Sequence, residues 1–154
     1  MTINFYRSDD LPYGCFSNFA GYGFESDGVW WPTVEHFYQA QKFVPTPYAE
    51  LIRLAETPRR AADLGRAPFP PPRQDWERVK DDVMRRAVRA KFDAHPDIRE
   101  VLLSTGDQDI VENSPTDAYW GRDSTGTGRN MLGTILMEVR GQLRAGSPGS
   151  AMTR

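Results

Sequence analysis

The stretch FESDGVWWPTVEHFYQAQKFVP, residues 24–45, contains the change of hydrophobic period on which the fold class turns. YGFES (22–26) and VWW (29–31) flank Asp27-Gly28, a dipeptide suited to the positive φ angles of a tight hairpin turn. Residues 21–31 therefore read as two strands. Pro32-Thr33 then ends the alternation. Thr33 can accept a backbone N–H as a helix N-cap, and Val34, Phe37, Tyr38 and Gln41 follow at helical spacing. This helix is expected to stop near Val44, because Pro45 and Pro47 cannot continue it.

Outward from that segment, TINFY (2–6) alternates like a short strand, and DIVEN (109–113) reads as another. Helices are expected at 47–56, at 58–65 behind Pro58, at 74–93, from Pro96 to Leu103, and at 130–144. In the longest of these, Trp76, Val79, Val83, Ala87 and Ala90 form one stripe. APFPPPR (67–73) is a stiff connector, and 114–129 is a polar, glycine-rich loop. The expected fold is α+β: a predominantly helical single domain over 1–144 with a small antiparallel sheet, followed by a disordered tail at 145–154.

Composition narrows the chemistry. The 154 residues include two histidines, His36 and His95, and one cysteine, Cys15, so neither a cysteine-rich zinc site nor an internal disulfide can be built. Both histidines and the cysteine read as structural. The net charge is −2 and is unevenly spread: residues 1–52 carry two bases and six acids, 53–91 eleven and six, and 92–154 six and nine. A basic middle third can face a phosphate or simply solvate helices. MTINFYRSDD has no apolar signal region, and no run approaches the ~18 apolar residues of a membrane span, so a cytoplasmic protein is expected.

Three features can carry chemistry. Glu35, Gln39 and Lys42 lie at i, i+4 and i+7 of the helix, within about 20° of one another, with Tyr38 at the edge of that stripe. Phe37, Ala40 and Val44 form the opposite stripe, toward the core. The dipole of the first turn favours a carboxylate at Glu35, and the Lys42 side chain leans back toward it. An ordinary solvated face would carry the same residues. Aromatics gather around Ser17-Asn18 in YGCFSNF and at Tyr119-Trp120, where they either plug the core or offer stacking surfaces for planar rings. Finally, GTGRN (126–130) opens the last helix. Gly126 and Gly128 would let amides approach an anion beside Arg129, or the run is a turn with Asn130 as N-cap.

WPTVEHFYQAQKF (31–43), LGR (64–66), DWERVK (75–80), MRRAVRAKF (84–92), DAYWG (117–121) and GTGRNMLG (126–133) together resemble the NADAR family, in order and spacing, from about Ile3 to Leu143. The resemblance implies hydrolysis of an N-glycosidic bond to a phosphorylated ribose, without cofactor or metal. Two substrate classes go with the family: ribosylamino-pyrimidine intermediates of riboflavin biosynthesis, and ADP-ribose on guanine bases. The second would make an ADP-ribosyltransferase toxin a functional counterpart. By motif position, Glu35 resembles the catalytic carboxylate and Lys42 the family lysine, while Trp76 and Asp117 match functional positions. The catalytic set is then Glu35, Lys42 and Asp117. The substrate-binding set is Ser17, Asn18, Tyr38, Gln39, Arg66, Trp76, Tyr119, Trp120, Gly126, Gly128, Arg129 and Asn130. This chain has Asp75-Trp76 where relatives can carry Asn-Trp, and Arg129 where some carry lysine. A non-catalytic module that binds ADP-ribose or a nucleotide is the alternative.

Overall fold

The computed structural model describes residues 1–123 and 125–146, so the expected tail lies outside the described residues beyond Gly146. In chain order the elements are β1 (Thr2–Phe5), a 3-10 turn (Tyr13–Phe16), β2 (Phe24–Ser26), β3 (Val29–Trp31), α1 (Val34–Gln41), α2 (Pro47–Arg53), α3 (Pro58–Arg66), α4 (Trp76–Ala94), α5 (Pro96–Ser104), β4 (Asp109–Glu112) and α6 (Met131–Arg144). The domain is α+β and dominated by helices. β2 and β3 form the expected antiparallel hairpin, turned at Asp27 (φ 53°) and Gly28 (φ 77°). β1 pairs separately with β4, and that pair is parallel: Ile3 opposes Ile110 and Phe5 opposes Glu112. Parallel pairing demands a long crossover, supplied here by everything from the first turn to α5.

α1 begins as its sequence dictates. Thr33 is extended (φ −147°, ψ 166°), and its Oγ1 accepts the His36 N–H at 3.1 Å. The helix ends at Gln41, a turn earlier than expected, and the chain leaves through consecutive turns at 42–46. Its surroundings differ more. Every residue from Val34 to Ala40 is buried, because α2, α3 and α4 all pack against it. No face of it is a solvated one. The apolar side meets Phe24 and Trp31, and burying a phenylalanine such as Phe37 contributes about 1.5–3 kcal/mol. α4 adds Val83, Met84, Ala87, Val88 and Phe92, and α6 adds Leu132, Ile135, Leu136 and Val139 to the same core.

The few histidines and the cysteine are consumed by structure. His36 joins Thr33 Oγ1 at 2.8 Å and the Ala55 carbonyl at 3.0 Å, and His95 contacts the Gly23 carbonyl at 2.7 Å. Cys15 is buried. No helix among the described residues is long and apolar enough to cross a membrane.

Candidate functional site

The polar stripe of α1 faces a recess of about 1220 Å³, ample for a nucleotide-sized ligand. Its wall includes Glu35, Tyr38 and Gln39 from α1, Lys42 at its C-cap, Ser17, Asn18 and Phe19 from the segment after the 3-10 turn, Arg59 and Arg66 from α3, and Met84 from α4. Tyr6 to Asp9, following β1, contribute further wall, as do Glu112 at the end of β4 and Ser114, Thr116, Asp117 and Trp120 in the next loop.

Glu35 is only 5% exposed. Its N–H donates to the Asn18 carbonyl at 3.1 Å, tying the first turn of α1 to the Ser17-Asn18 segment. Gln39 Nε2 donates to Glu35 Oε2 at 2.7 Å, and an Arg66 guanidinium nitrogen lies 3.9 Å from the same oxygen. Burial pushes the Glu35 carboxyl above the usual carboxylate range, against the pull of Gln39, Arg66 and Lys42. The same desolvation lowers the Lys42 ammonium below its ordinary value, while the Glu35 charge opposes the shift. Lys42 Nζ donates to the Gly65 carbonyl at 3.2 Å and sits 5.7 Å from the centre of the Tyr38 ring. Gly65 permits this close contact between α1 and α3. A β-carbon there would lie 2.7 Å from Gln39 Cβ and would also strike Gln39 Oε1.

The aromatic residues make a corner. Tyr38 meets Trp76 edge-on with centroids 5.1 Å apart and Trp120 at 5.4 Å, and Trp120 Nε1 donates to the Tyr38 hydroxyl at 3.3 Å. Asp117 Oδ1 accepts the N–H groups of Tyr119 (3.0 Å) and Trp120 (2.8 Å), which fixes that loop. On the opposite wall, Ser17 Oγ accepts the Phe19 N–H, and the buried Lys91 ammonium donates to the Ser17 carbonyl, both at 3.1 Å. Asn18 Oδ1 is buried without a partner among the described residues, as is Gln39 Oε1. Among these residues no three histidine, cysteine or acidic side chains converge to hold a metal ion.

Nine of the fifteen residues singled out from the sequence thus share one recess: Ser17, Asn18, Glu35, Tyr38, Gln39, Lys42, Arg66, Asp117 and Trp120. Trp76 backs Tyr38 from behind, buried at 6% exposure. The others lie elsewhere. Tyr119 turns away to donate its hydroxyl to Asp81 at 2.6 Å, between Lys80 and the Arg129 guanidinium, which is 5.1 Å from its ring. Gly126, Gly128, Arg129 and Asn130, expected as an anion cradle, do not line the recess. The N–H groups of Arg129, Asn130, Met131 and Leu132 already donate to the carbonyls of Ala118, Gly121, Tyr119 and Trp120 at 2.8–3.1 Å. Asn130 stands at the N-cap position in the left-handed region (φ 53°), yet its side chain caps nothing. It clamps β4 instead: Oδ1 accepts the Glu112 N–H at 3.0 Å, and Nδ2 donates to the Ile110 carbonyl at 2.9 Å.

Glu112, Arg7 and Arg59 were missed by the sequence reading. Glu112 left one signal, an acid two residues from Ile110 and so on the buried side of a strand. Burial, then the charges of Asp117 and Glu35, push its carboxyl up to about 7. Arg7 and Arg59, exposed and paired with Asp9 and Asp63, look from sequence like any surface arginine.

Comparison with known proteins places this arrangement. A family model described as NADAR domain matches residues 4–144. An N-glycosidase of Nostoc punctiforme is 52% identical over 147 residues, 94% of each chain. The N-glycosidase YbiA of Escherichia coli is 50% identical over 141 residues, 92% of this chain and 88% of the relative. The NMR structure of the Escherichia coli protein superposes with a TM-score of 0.87 at 48% identity, over 95% of this chain and 86% of that one. The chloroplastic riboflavin biosynthesis protein PYRR of Zea mays is 42% identical over 164 residues, 97% of this chain and 26% of that longer protein.

Proposed function

The chain belongs to the NADAR family and is an N-glycosidase, and from that premise we infer that it hydrolyses the bond between a base or pyrimidine amine and C1′ of a phosphorylated ribose. The observation carrying this reading is that the buried Glu35 and the half-buried Lys42 at the end of α1 line one recess, beside an aromatic corner and with Arg66 near Glu35. Breaking a ribosyl C–N bond builds positive charge at C1′, which a carboxylate stabilises or relieves by activating water. A ribosylamine also opens to an imine. The Lys42 amine can then add to C1′, expel the departing nitrogen and leave a Schiff base that water hydrolyses, with Glu35 moving the protons. The lowered Lys42 ammonium favours this route, since only the neutral amine attacks. Trp120 and Tyr38 offer faces for the base, and Arg66, with Arg59 about two turns earlier on α3 and Arg7 also lining the recess, meets the phosphate.

Two substrates fit: ribosylamino-pyrimidine phosphates, the class suggested by the riboflavin biosynthesis relative, and ADP-ribosylated guanine. For the second, an ADP-ribosyltransferase toxin supplies the substrate. The cytoplasm, reducing enough to keep Cys15 free, is the compartment we assign. Borohydride added during turnover of either substrate should leave a mass adduct on Lys42, and Lys42→Ala should show neither adduct nor turnover. Full turnover by Lys42→Ala would refute the covalent route and leave Glu35 acting on water. Ligand binding with no product from either substrate would refute the enzymatic reading and favour a binding module.

A further inference from the structure

We propose that Glu112 is a third reacting group of the recess, the acid that protonates the departing nitrogen, a role that rests on the N-glycosidase reading above. Four acidic side chains line the recess, and three are already engaged. Glu35 holds Gln39 and lies near Arg66, Asp117 accepts two backbone N–H groups, and Asp9 pairs with Arg7. The Glu112 carboxyl has neither a hydrogen bond nor an ion pair among the described residues. Its backbone, by contrast, is held on every side. Its N–H donates to Asn130, its carbonyl accepts from Ser114 (3.0 Å) and Arg122 (2.8 Å), and the strand is in register with β1 at Phe5. A rigidly mounted, unpartnered carboxyl in a recess is arranged for a group that arrives with the ligand.

Glu112 also approaches from the right side. Glu35 projects from α1 and Lys42 from its C-cap, whereas Glu112 projects from β4, so the recess presents a proton source on an element other than the nucleophile's. In either route to products the C1′–N electron pair leaves with the nitrogen, which must acquire a proton. The Glu112 O–H supplies that proton and becomes a carboxylate. The water that later adds to C1′ gives its proton to Glu35, and exchange with solvent restores both acids. A carboxyl titrating at about 7 still carries its proton near neutrality, as this step requires. The charged groups that act on its carboxyl are Asp117 in the loop and Glu35 on α1, and the same recess holds Lys42 at the end of α1, Arg59 and Arg66 on α3, and the Arg7–Asp9 pair.

The test uses 5-phosphoribosylamines of two anilines, one basic (4-methoxyaniline) and one weakly basic (4-nitroaniline). A basic amine depends most on being protonated as it leaves. Glu112→Gln is expected to lower kcat by about 10²–10⁴ on the methoxyaniline substrate and by less than about tenfold on the nitroaniline one, with KM little changed. Wild-type kcat should fall as pH rises through about 7, and that fall should flatten in the same variant. Glu112→Asp, which keeps an acid, should be slower but should discriminate between the two anilines no more than the wild type does. Equal losses on both anilines, or none on either, would overturn the role of Glu112 alone. A wild type that releases neither aniline would overturn the N-glycosidase reading and this inference with it.

Discussion

Replacing Glu112 with glutamine should make the fold more stable at alkaline pH, even as it damages the site. In the unfolded chain this carboxyl titrates near its ordinary 4.5, and in the fold at about 7. Between those values the folded protein binds the extra proton, so its stability falls as pH rises from 4.5 toward 7 and stays lower above that. The interval is about 2.5 pH units at ~1.36 kcal/mol each, or roughly 3 kcal/mol. Glutamine never ionises. The stability difference between Glu112→Gln and wild type should therefore move by roughly 3 kcal/mol in favour of the variant between pH 4 and pH 8. In a chain of this length that corresponds to a relative Tm gain of roughly 9 °C. Glu35, also raised by burial, is present in both proteins, so its own pH dependence largely cancels in the difference. Urea unfolding followed by tryptophan fluorescence at both pH values reads the quantity directly. A difference that stays constant to within about 0.5 kcal/mol would refute the uncompensated burial of Glu112. So would a shift of opposite sign, which is what a carboxylate paired in the fold would produce.

Two further substitutions test the supports of the site. Gly65→Ala puts a β-carbon against Gln39 Cβ and Oε1, so it should break the Gln39–Glu35 hydrogen bond, shift the Glu35 titration, and lower kcat at least tenfold while the circular dichroism spectrum is retained. Asn130→Ala removes the side-chain partners of the Glu112 N–H and the Ile110 carbonyl, at a cost of about 2–5 kcal/mol in urea unfolding, and Asn130→Asp should recover the half that Oδ1 supplies.

The local elements were readable because local rules produce them. The Asp27-Gly28 turn, the Thr33 cap and the prolines opening α2, α3 and α5 act within a few residues, and the structure shows each at its expected place. The alignment of Glu35, Gln39 and Lys42 also follows from helical geometry alone. What that face meets does not follow from it. Only packing by α3 and α4 and by the segments after β1, the 3-10 turn and β4 turns a stripe that could be solvated into the wall of a recess, and burial is what raises Glu35 and lowers Lys42. The glycine-rich run at 126–130 shows the converse. Its residues suit an anion cradle, but the Arg129 and Asn130 amides are taken by the carbonyls of Ala118 and Gly121 and the Gly126 amide by that of Asp123, a pairing that depends on how a whole loop folds back. Glu112 joins the site because β4 pairs in parallel with β1, from the other end of the chain, and because Asn130 pins it there. Short-range chemistry is written in adjacent residues. Which carboxyl is desolvated, and which donor is already taken, depends on contacts between segments a hundred residues apart.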